Sequence, residues 1–359
     1  MLTVGVEEEY LLIDEHSGLP VADSRRVRQA ARRMCDPHPD EVQLELLQAQ
    51  IEIATPVCDT LDQLSDHLRR LRGNVGEAAR ETGHQLACTG CAPYRTPQPV
   101  PVTATERYHA MRDNSRILAD EQLICGMHIH LGIPDRDVAV SALNRMRPWL
   151  PLLLALGANS PFWEGNDTGY ASWRTLIFGR WPVSGPPPAC TGAADYDERV
   201  AGLIDARVIP DRSHLYWHAR LSDGHPTLEI RVLDVQLHAD TAVALAGLTR
   251  ALATACLTGG APDRRFDHPE ILQGTTWLAA RHGLDAELAV PLTDRPRPVR
   301  DLTRALIEHL GSRTDDPAWP AVSTEIHRLL DQGNGAQRQR HAVATGDRDR
   351  LLRTITAGC

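Results

Sequence analysis

The chain contains no lysine; all 38 of its basic residues are arginine. That absence removes three enzyme classes. A P-loop needs the lysine of GxxxxGK[ST], a protein kinase uses a strand lysine, and a pyridoxal enzyme needs a Schiff-base lysine. Any phosphate chemistry here must run on arginine, backbone amides and metal ions. Also missing is an uninterrupted apolar run of about 18 residues or more, as a membrane span would need, and no basic segment precedes the first apolar run at residue 2. A cytosolic protein with no membrane partner is the expectation. A formal net charge of −9 and a pI near 6.0, with no basic stripe, argue against a nucleic-acid partner. The eight cysteines are scattered and follow no secretion signal, so reduced thiols are expected. Cys88 and Cys91 in "CTGC" have redox or zinc-knuckle spacing, but there is no second pair, and they read as small core thiols.

What is present is an ordinary globular composition, 42% hydrophobic over 359 residues, with no repeats and no linker clear enough to divide it. One domain over residues 1–359 is expected. Leu61, Leu64, Leu68, Leu71 and Val75 recur at helical spacing behind candidate caps at Asp59 and Thr60. "VAVSALNRMRPWLPLLLALGANS" and "TAVALAGLTRALATACLTGG" read as two further helices, the second largely buried. Strand-like runs cover residues 2–13, 49–55, 85–91, 124–133, 214–221 and 227–235. Helices and strands do not alternate regularly, so the fold class is α+β, with an antiparallel or mixed sheet and helices on one side. "GRWPVSGPPPAC" reads as a Pro/Gly loop, expected to be mobile or to form a lid.

Period two sorts the polar residues. In "TVGVEEEY", Glu7 and Glu9 share a face with Thr3 and Gly5, while Glu8 points the other way with Val4, Val6 and Tyr10. In "CGMHIHLGI", His128 and His130 oppose Met127, Ile129 and Leu131. In "QAQIEIAT", Gln50 and Glu52 oppose Ile51 and Ile53, and in "TLEIRVLD", Glu229 and Arg231 oppose Leu228, Ile230 and Val232. Four strands apolar on one side and charged on the other suggest one sheet with a packed back and a functional front. Four glutamates there could not all ionise without cations between them, and Glu with His suits divalent metals. Glu7 and Glu9 are therefore expected to be held together by metal, and Glu8 to find an arginine from a packing helix. The bland reading is that one face of an antiparallel sheet is simply solvated. Solvated faces mix Lys, Thr, Ser and Arg, whereas these carry mainly acids, imidazoles and flanking glycines that let something approach the backbone.

"TVGVEEEYLLID", "QIEIATPVC", "ERYHAMRDNSR", "CGMHIHLGIPD", "ANSPFWEGNDTGYASWR", "TLEIRVLDVQ" and "GNGAQRQR" together resemble, in order and spacing over nearly the whole chain, the glutamate–cysteine ligase type 2 (carboxylate–amine ligase) family. The resemblance implies a glutamine synthetase-like catalytic fold, in which a curved antiparallel sheet holds ATP and Mg²⁺ on its concave face and helices pack on its convex face. It implies ATP-dependent amide formation through an acyl phosphate, with the glutamate γ-carboxyl and the cysteine amine as default substrates, and a homodimer. Carried over by position, Glu7, Glu9, Glu52, His128 and Glu229 are the metal set. Arg231 and Arg220 are the catalytic and nucleotide-binding arginines, and Arg174, His130 and Gln50 are substrate contacts. Arg338 and Arg340 are weaker candidates. Two positions depart from the family pattern: Ala92 stands where a "GTHP"-like turn has His, and His218 where an acid follows the Trp. A ligase of the same chemistry acting on another acid and amine is therefore the alternative.

Two other classes compete. A metal-dependent amidohydrolase also uses HxH on a strand, but near the first strand of an eight-fold βα alternation; here it lies at residue 128 of a non-alternating chain. An inactive nucleotide-binding homologue would feel little pressure to keep Glu7, Glu9, Glu52, Glu229 and Arg231 together.

Overall fold

The structure, a computed structural model, describes residues 1–34, 39–259, 264–345 and 347–358. Its principal sheet is formed by β1 (Val4–Ile13), β2 (Val42–Leu44), β3 (Gln50–Ala54), β4 (Gln85–Ala87), β5 (Gly126–Gly132), β6 (Ala219–Leu221) and β7 (Thr227–Asp234). The strand order is β6-β7-β5-β1-β3-β2, every pair antiparallel, with β4 beside the second half of β1. The described helices of six residues or more are α1 (Ser24–Met34), α2 (Leu61–Glu81), α3 (Glu106–Ser115), α4 (Arg136–Met146), α5 (Leu150–Gly157), α6 (Trp173–Phe178), α7 (Ala193–Asp205), α8 (Ala239–Thr258), α9 (Pro269–His282), α10 (Val299–Gly311), α11 (Trp319–Gln332), α12 (Gly335–Ala344) and α13 (Arg348–Thr356). Among the described residues, the remaining strands form short two-stranded pairings. The α+β reading is correct.

The apolar sides of the strands face the helices. Val6, Tyr10, Ile51, Ile53, Met127, Ile129, Leu131 and Ile230 are all buried. α2 packs here because Leu64, Leu68, Leu71 and Val75 form one buried stripe, each side chain contributing about 1.5–3 kcal/mol relative to exposure. Its start is fixed by a capping box: the Thr60 hydroxyl accepts from Gln63 N (3.2 Å) while Gln63 Oε1 accepts from Asp59 N (2.9 Å) and Thr60 N (3.3 Å). α8 is long and apolar enough to cross a membrane, but here it packs against α2, α4 and α11.

Glu8, the acid on the wrong face, is fully buried and does receive an arginine from a packing helix. Arg72 of α2 donates from Nε (2.8 Å) and Nη2 (2.5 Å), and the Tyr10 hydroxyl donates at 2.6 Å.

Four expectations need correction. The helix read from "VAVSALNRMRPWLPLLLALGANS" is two helices, α4 and α5, joined by a 3₁₀ turn at Arg147–Trp149, because Pro148 and Pro151 lack the N–H that a continuous helix requires. The strand-like runs read above omit β2, although Val42, Leu44 and Leu46 alternate with Gln43 and Glu45. The "GRWPVSGPPPAC" loop is no lid. Ser184–Gly185 pairs with Tyr216–Trp217, Arg147 Nε donates to Pro187 O (2.7 Å), and Cys190 exchanges two hydrogen bonds with Asn144. Cys91 is free and buried, as expected, but Cys88 is disulfide-bonded.

Candidate active site

Sheet register builds the site. β1 lies between β5 and β3, so Glu7 stands opposite His128 and Glu9 opposite Glu52. β7 adds Glu229 opposite His130, and β6 adds Arg220 opposite Glu229. The β5–β7 register shifts between Ile230 and Leu233, a bulge beside Arg231 of the kind that re-aims a side chain next to a site. The resulting cleft encloses about 340 Å³.

The acids expected as one metal set fall into two clusters. In the first, ligand atoms of Glu7, His128 and Glu229 lie within 4.8 Å of one another. His128 Nδ1 is 3.1 Å from Glu7 and 3.9 Å from Glu229, while His130 Nε2 is 3.4 Å from Glu7. In the second, Glu9 and Glu52 are joined at the same spacing by Glu45, from the loop after β2. Glu9 also accepts from Gly126 N at 2.6 Å.

The two clusters differ electrostatically. Burial would raise Glu7, but hydrogen bonds and charge from His128 and His130 outweigh it and hold the carboxyl far below the usual range. Glu229 is likewise raised by burial and then pulled far down by Arg231 and Arg220. Burial lowers His128, with Arg231 adding to the effect; His130 ends up raised, because Glu7 and Glu229 outweigh its burial. Against the second cluster Arg107 acts on Glu45, and its pull is smaller than the burial and repulsion it opposes. Burial and repulsion from Glu45, Glu7 and Glu9 drive Glu52 well above the carboxylate range, and burial with the charge of Glu9 pushes Glu45 up to about 7. Three carboxylates that cannot ionise together without a counter-charge fit a hard divalent cation with oxygen ligands. The first cluster offers two carboxylates and an imidazole, and its charge is already balanced.

The arginines surround the first cluster. Arg231 Nη1 bonds Glu229, and the buried Arg231 Nε has no partner among the described residues. Arg220 donates to Glu229 (2.7 Å) and to the carbonyls of Ser213 (3.1 Å) and Leu215 (2.9 Å), which makes it an anchor for Glu229 more than a free phosphate ligand. Arg174, buried on the cleft wall, donates to the Arg231 carbonyl at 3.4 and 3.5 Å and lies 3.9 Å from the buried Asp234 carboxylate, and its Nε is unpartnered among the described residues. Its guanidinium lies 5.3 Å and that of Arg231 6.0 Å from the Phe178 ring centroid. A side chain at Gly126 would occupy the space of the Arg174 guanidinium, which explains the glycine.

Other candidates move. Gln50 lines the cleft, but its amide is spent on backbone: Oε1 accepts from Leu47 N (3.1 Å) and Nε2 donates to Gln122 O (3.0 Å) and Ile124 O (2.7 Å). These bonds make it a brace between the β3 entry and the chain before β5. His130 Nδ1 is 2.9 Å from Thr227 Oγ1. Arg340 pairs with Asp167 (2.7 and 2.8 Å), away from the cleft, and Arg338 does not line it either. Ala92 and His218 are buried behind the wall and line no part of the cleft. Sequence reasoning missed Glu45, Arg107 and Tyr108, all cleft-lining. The last two sit in the "ERYHAMRDNSR" motif; Glu45 had a signal in the alternation of Val42, Gln43, Leu44, Glu45 and Leu46, which puts it on one face with Gln43, but the period breaks at Leu47.

A second chamber of about 1060 Å³ adjoins the cleft and shares Arg107, Met111, Trp181 and Tyr216 with it.

Comparison with known proteins places this geometry in a family. Residues 3–355 match the family model "Glutamate-cysteine ligase family 2 (GCS2)". A protein of Nocardia farcinica named "Putative glutamate--cysteine ligase 2-1" is 40% identical over 346 residues, 94% of this chain and 88% of its own length. A Mycolicibacterium vanbaalenii protein named "Putative glutamate--cysteine ligase 2-2" is 41% identical over 353 residues, 95% and 93% of the two chains. Among solved structures, the glutamate–cysteine ligase of Francisella tularensis, in complex with AMP, superposes with a TM-score of 0.76 at 14% identity, covering 99% of this chain and 87% of that one. The bifunctional glutathione synthetase of Pasteurella multocida gives 0.74 at 14% identity, covering 99% and 52%. At that identity the likeness is one of fold, and it matches the antiparallel sheet and packed helices described above. The chain belongs to glutamate–cysteine ligase family 2, a family of ligases.

Proposed function

We propose that the protein is an ATP- and Mg²⁺-dependent carboxylate–amine ligase whose default substrates are the γ-carboxyl of L-glutamate and the amine of L-cysteine. The observation that carries this reading is the pair of acid clusters on one sheet face, one crowded with uncompensated carboxylates and the other ringed by Arg231, Arg220 and Arg174. Phosphoryl transfer asks a protein mainly for positioning and charge neutralisation, and that is what this face offers. Glu9, Glu45 and Glu52, and Glu7, His128 and Glu229, would hold divalent cations, which would supply positive charge against the charge that develops on the phosphoryl group.

The chain's own residues do the rest. The carboxylate substrate attacks the γ-phosphorus, ADP leaves, and the amine displaces phosphate from the resulting acyl phosphate. Arg231, held by Glu229 with its Nε unspent, presents positive charge to the phosphoryl group as it transfers. Arg174 offers a planar fork to the acid's second carboxylate, which a guanidinium can grip at two points. Arg220 keeps Glu229 ionised and fixed.

The test is ADP release from Mg-ATP by the purified protein with L-glutamate and L-cysteine, then with a panel of other acids and amines, each product checked by mass spectrometry. An amide formed one-for-one with ADP supports the ligase and names its substrates. ADP release that needs no acid, or no turnover with any pair, counts against it.

A further inference from the structure

The motif "ERYHAMRDNSR" is a cleft-lining sequence feature that the proposed chemistry leaves without a task. It folds as α3, running through Arg116 into the short helix Ile117–Asp120. None of the ten residues of α3 is buried, although the helix stands between the acid cleft and the second chamber and lines both. Only the half-buried Tyr108 and Met111 pack from it against the core, and a helix with so narrow an apolar contact takes little stability from packing and sits at the low end of local stability. Among the described residues two hydrogen bonds tie it to the cleft rim: Tyr108 OH to Leu44 O at 3.3 Å and Arg107 Nη2 to Ser213 Oγ at 3.4 Å. Both are long for their type.

Its ends are held more firmly. Before it, the buried Thr103 donates from N to Leu46 O (2.8 Å) and from its hydroxyl to Glu45 O (2.5 Å). After it, Glu121 pairs with Arg180 and lies 3.8 Å from Arg95. Between these anchors Arg116 adopts φ 52°, ψ −125°, backbone that a side chain rarely accepts and a place where the segment can turn. Fixed ends, a loosely held middle and a strained turn describe a hinged element.

What this element carries defines its use. Arg107 is exposed, and among the described residues its one hydrogen bond is to the Ser213 hydroxyl; it borders the cleft that contains Glu45 and Glu52, and its charge already acts on Glu45. Tyr108 and Met111, on the same side, line the cleft as well. An acyl phosphate exposed to water is lost: water adds to the acyl carbon, the C–O bond to phosphate breaks, and free acid and phosphate result without an amide. A site using that intermediate must exclude water until the amine arrives.

We propose that Thr105–Glu121 is a lid that closes over the acid cleft when nucleotide and acid are bound, laying Arg107 on their negative charge and Tyr108 and Met111 across the water path. The proposal rests on the ligase reading and adds a residue set to it. Arg107 is a ligand for phosphate or carboxylate that arrives with closure; Tyr108 and Met111 shape the seal.

Hydrogen exchange of the whole protein, free and with Mg²⁺, the non-hydrolysable ATP analogue AMP-PNP and L-glutamate, reads closure directly. Amides of residues 105–121 are expected to exchange at least tenfold more slowly in the complex. In parallel, Arg107→Ala and Met111→Ala are expected to release more than one ADP per amide where the wild type releases one, with Arg107→Lys partly restoring the ratio. Unchanged exchange in 105–121, or a one-to-one ratio kept in both alanine variants, overturns the lid. If the wild type couples ADP to no amide at all, it is the ligase reading that has failed, and the exchange experiment alone then decides whether the segment closes.

Discussion

Glu52 and Glu229 face the same cleft, yet removing their charge should have opposite effects on stability. Glu229 is paired with Arg231 and Arg220, so Glu229→Gln leaves a buried guanidinium uncompensated, and a loss of about 3–5 kcal/mol is expected. Glu52 is held protonated by burial and by Glu45, so without metal Glu52→Gln should stabilise the fold, increasingly as pH rises above the ordinary carboxylate pKa. Urea unfolding of both variants in EDTA at pH 6 and pH 8 checks the two signs. His218 supplies a second titration. Burial, reinforced by Arg174 and Arg231, lowers it from 6.5 to about 3, so below pH 6.5 the unfolded chain takes up a proton that the folded chain refuses. Its contribution is complete above pH 6.5 and is lost as pH falls. Wild type should lose about 2 kcal/mol more than His218→Gln between pH 7 and pH 5, measured by the same unfolding. Glu229 was legible in the sequence because an eight-residue strand repeats its alternation. Glu45 was harder to find, because the alternation of Val42, Gln43, Leu44, Glu45 and Leu46 lasts only five residues before Leu47 breaks it, and the hydrogen-bonded strand is three residues long.

At the scale of elements, the bond between β1 and α2 is an ion pair inside the core. Glu8 accepts from Arg72 and Tyr10 with no exposure to solvent, so Arg72→Met alone should cost about 3–5 kcal/mol by stranding a buried carboxylate. Replacing Glu8→Leu together with Arg72→Met still orphans the Tyr10 hydroxyl. The combination with Tyr10→Phe should therefore recover most of the loss, and chemical denaturation of the three variants orders them. Alternation marked Glu8 as misplaced and called for an arginine from a helix, although nothing in the sequence could say which one. Pattern reading worked where one period runs the length of an element, as in β1, β5, β7 and α2. It failed at Pro148 and Pro151, where apolar periodicity continued through a backbone that could not, and at the Gly/Pro loop, where composition suggested mobility and hydrogen bonds to Arg147 and Asn144 fasten the chain.

Across the whole molecule, the polar sheet face concentrates negative charge in a protein that already carries a net −9. The helices behind it supply the stability that this face subtracts, since five of the cleft residues are acids, Glu7, Glu9, Glu45, Glu52 and Glu229. A cation bound there acts on the whole fold, because it binds the native sheet and has no comparable site in the unfolded chain. At a hundredfold excess over its dissociation constant such a ligand adds about 2.7 kcal/mol, a shift of several degrees in Tm. The expected pattern has two parts. Mg²⁺ with ADP should raise the Tm of the wild type, and in Glu45→Gln/Glu52→Gln the metal-free Tm should rise while the Mg²⁺-dependent increment largely disappears. A differential scanning fluorimetry series over Mg²⁺ concentration separates the two. If the double variant gained stability yet kept the wild-type increment, repulsion would be established but these carboxylates would not be the cation's ligands. If it lost stability without metal, the acids would be serving the fold, and the electrostatic account of this cluster would be wrong.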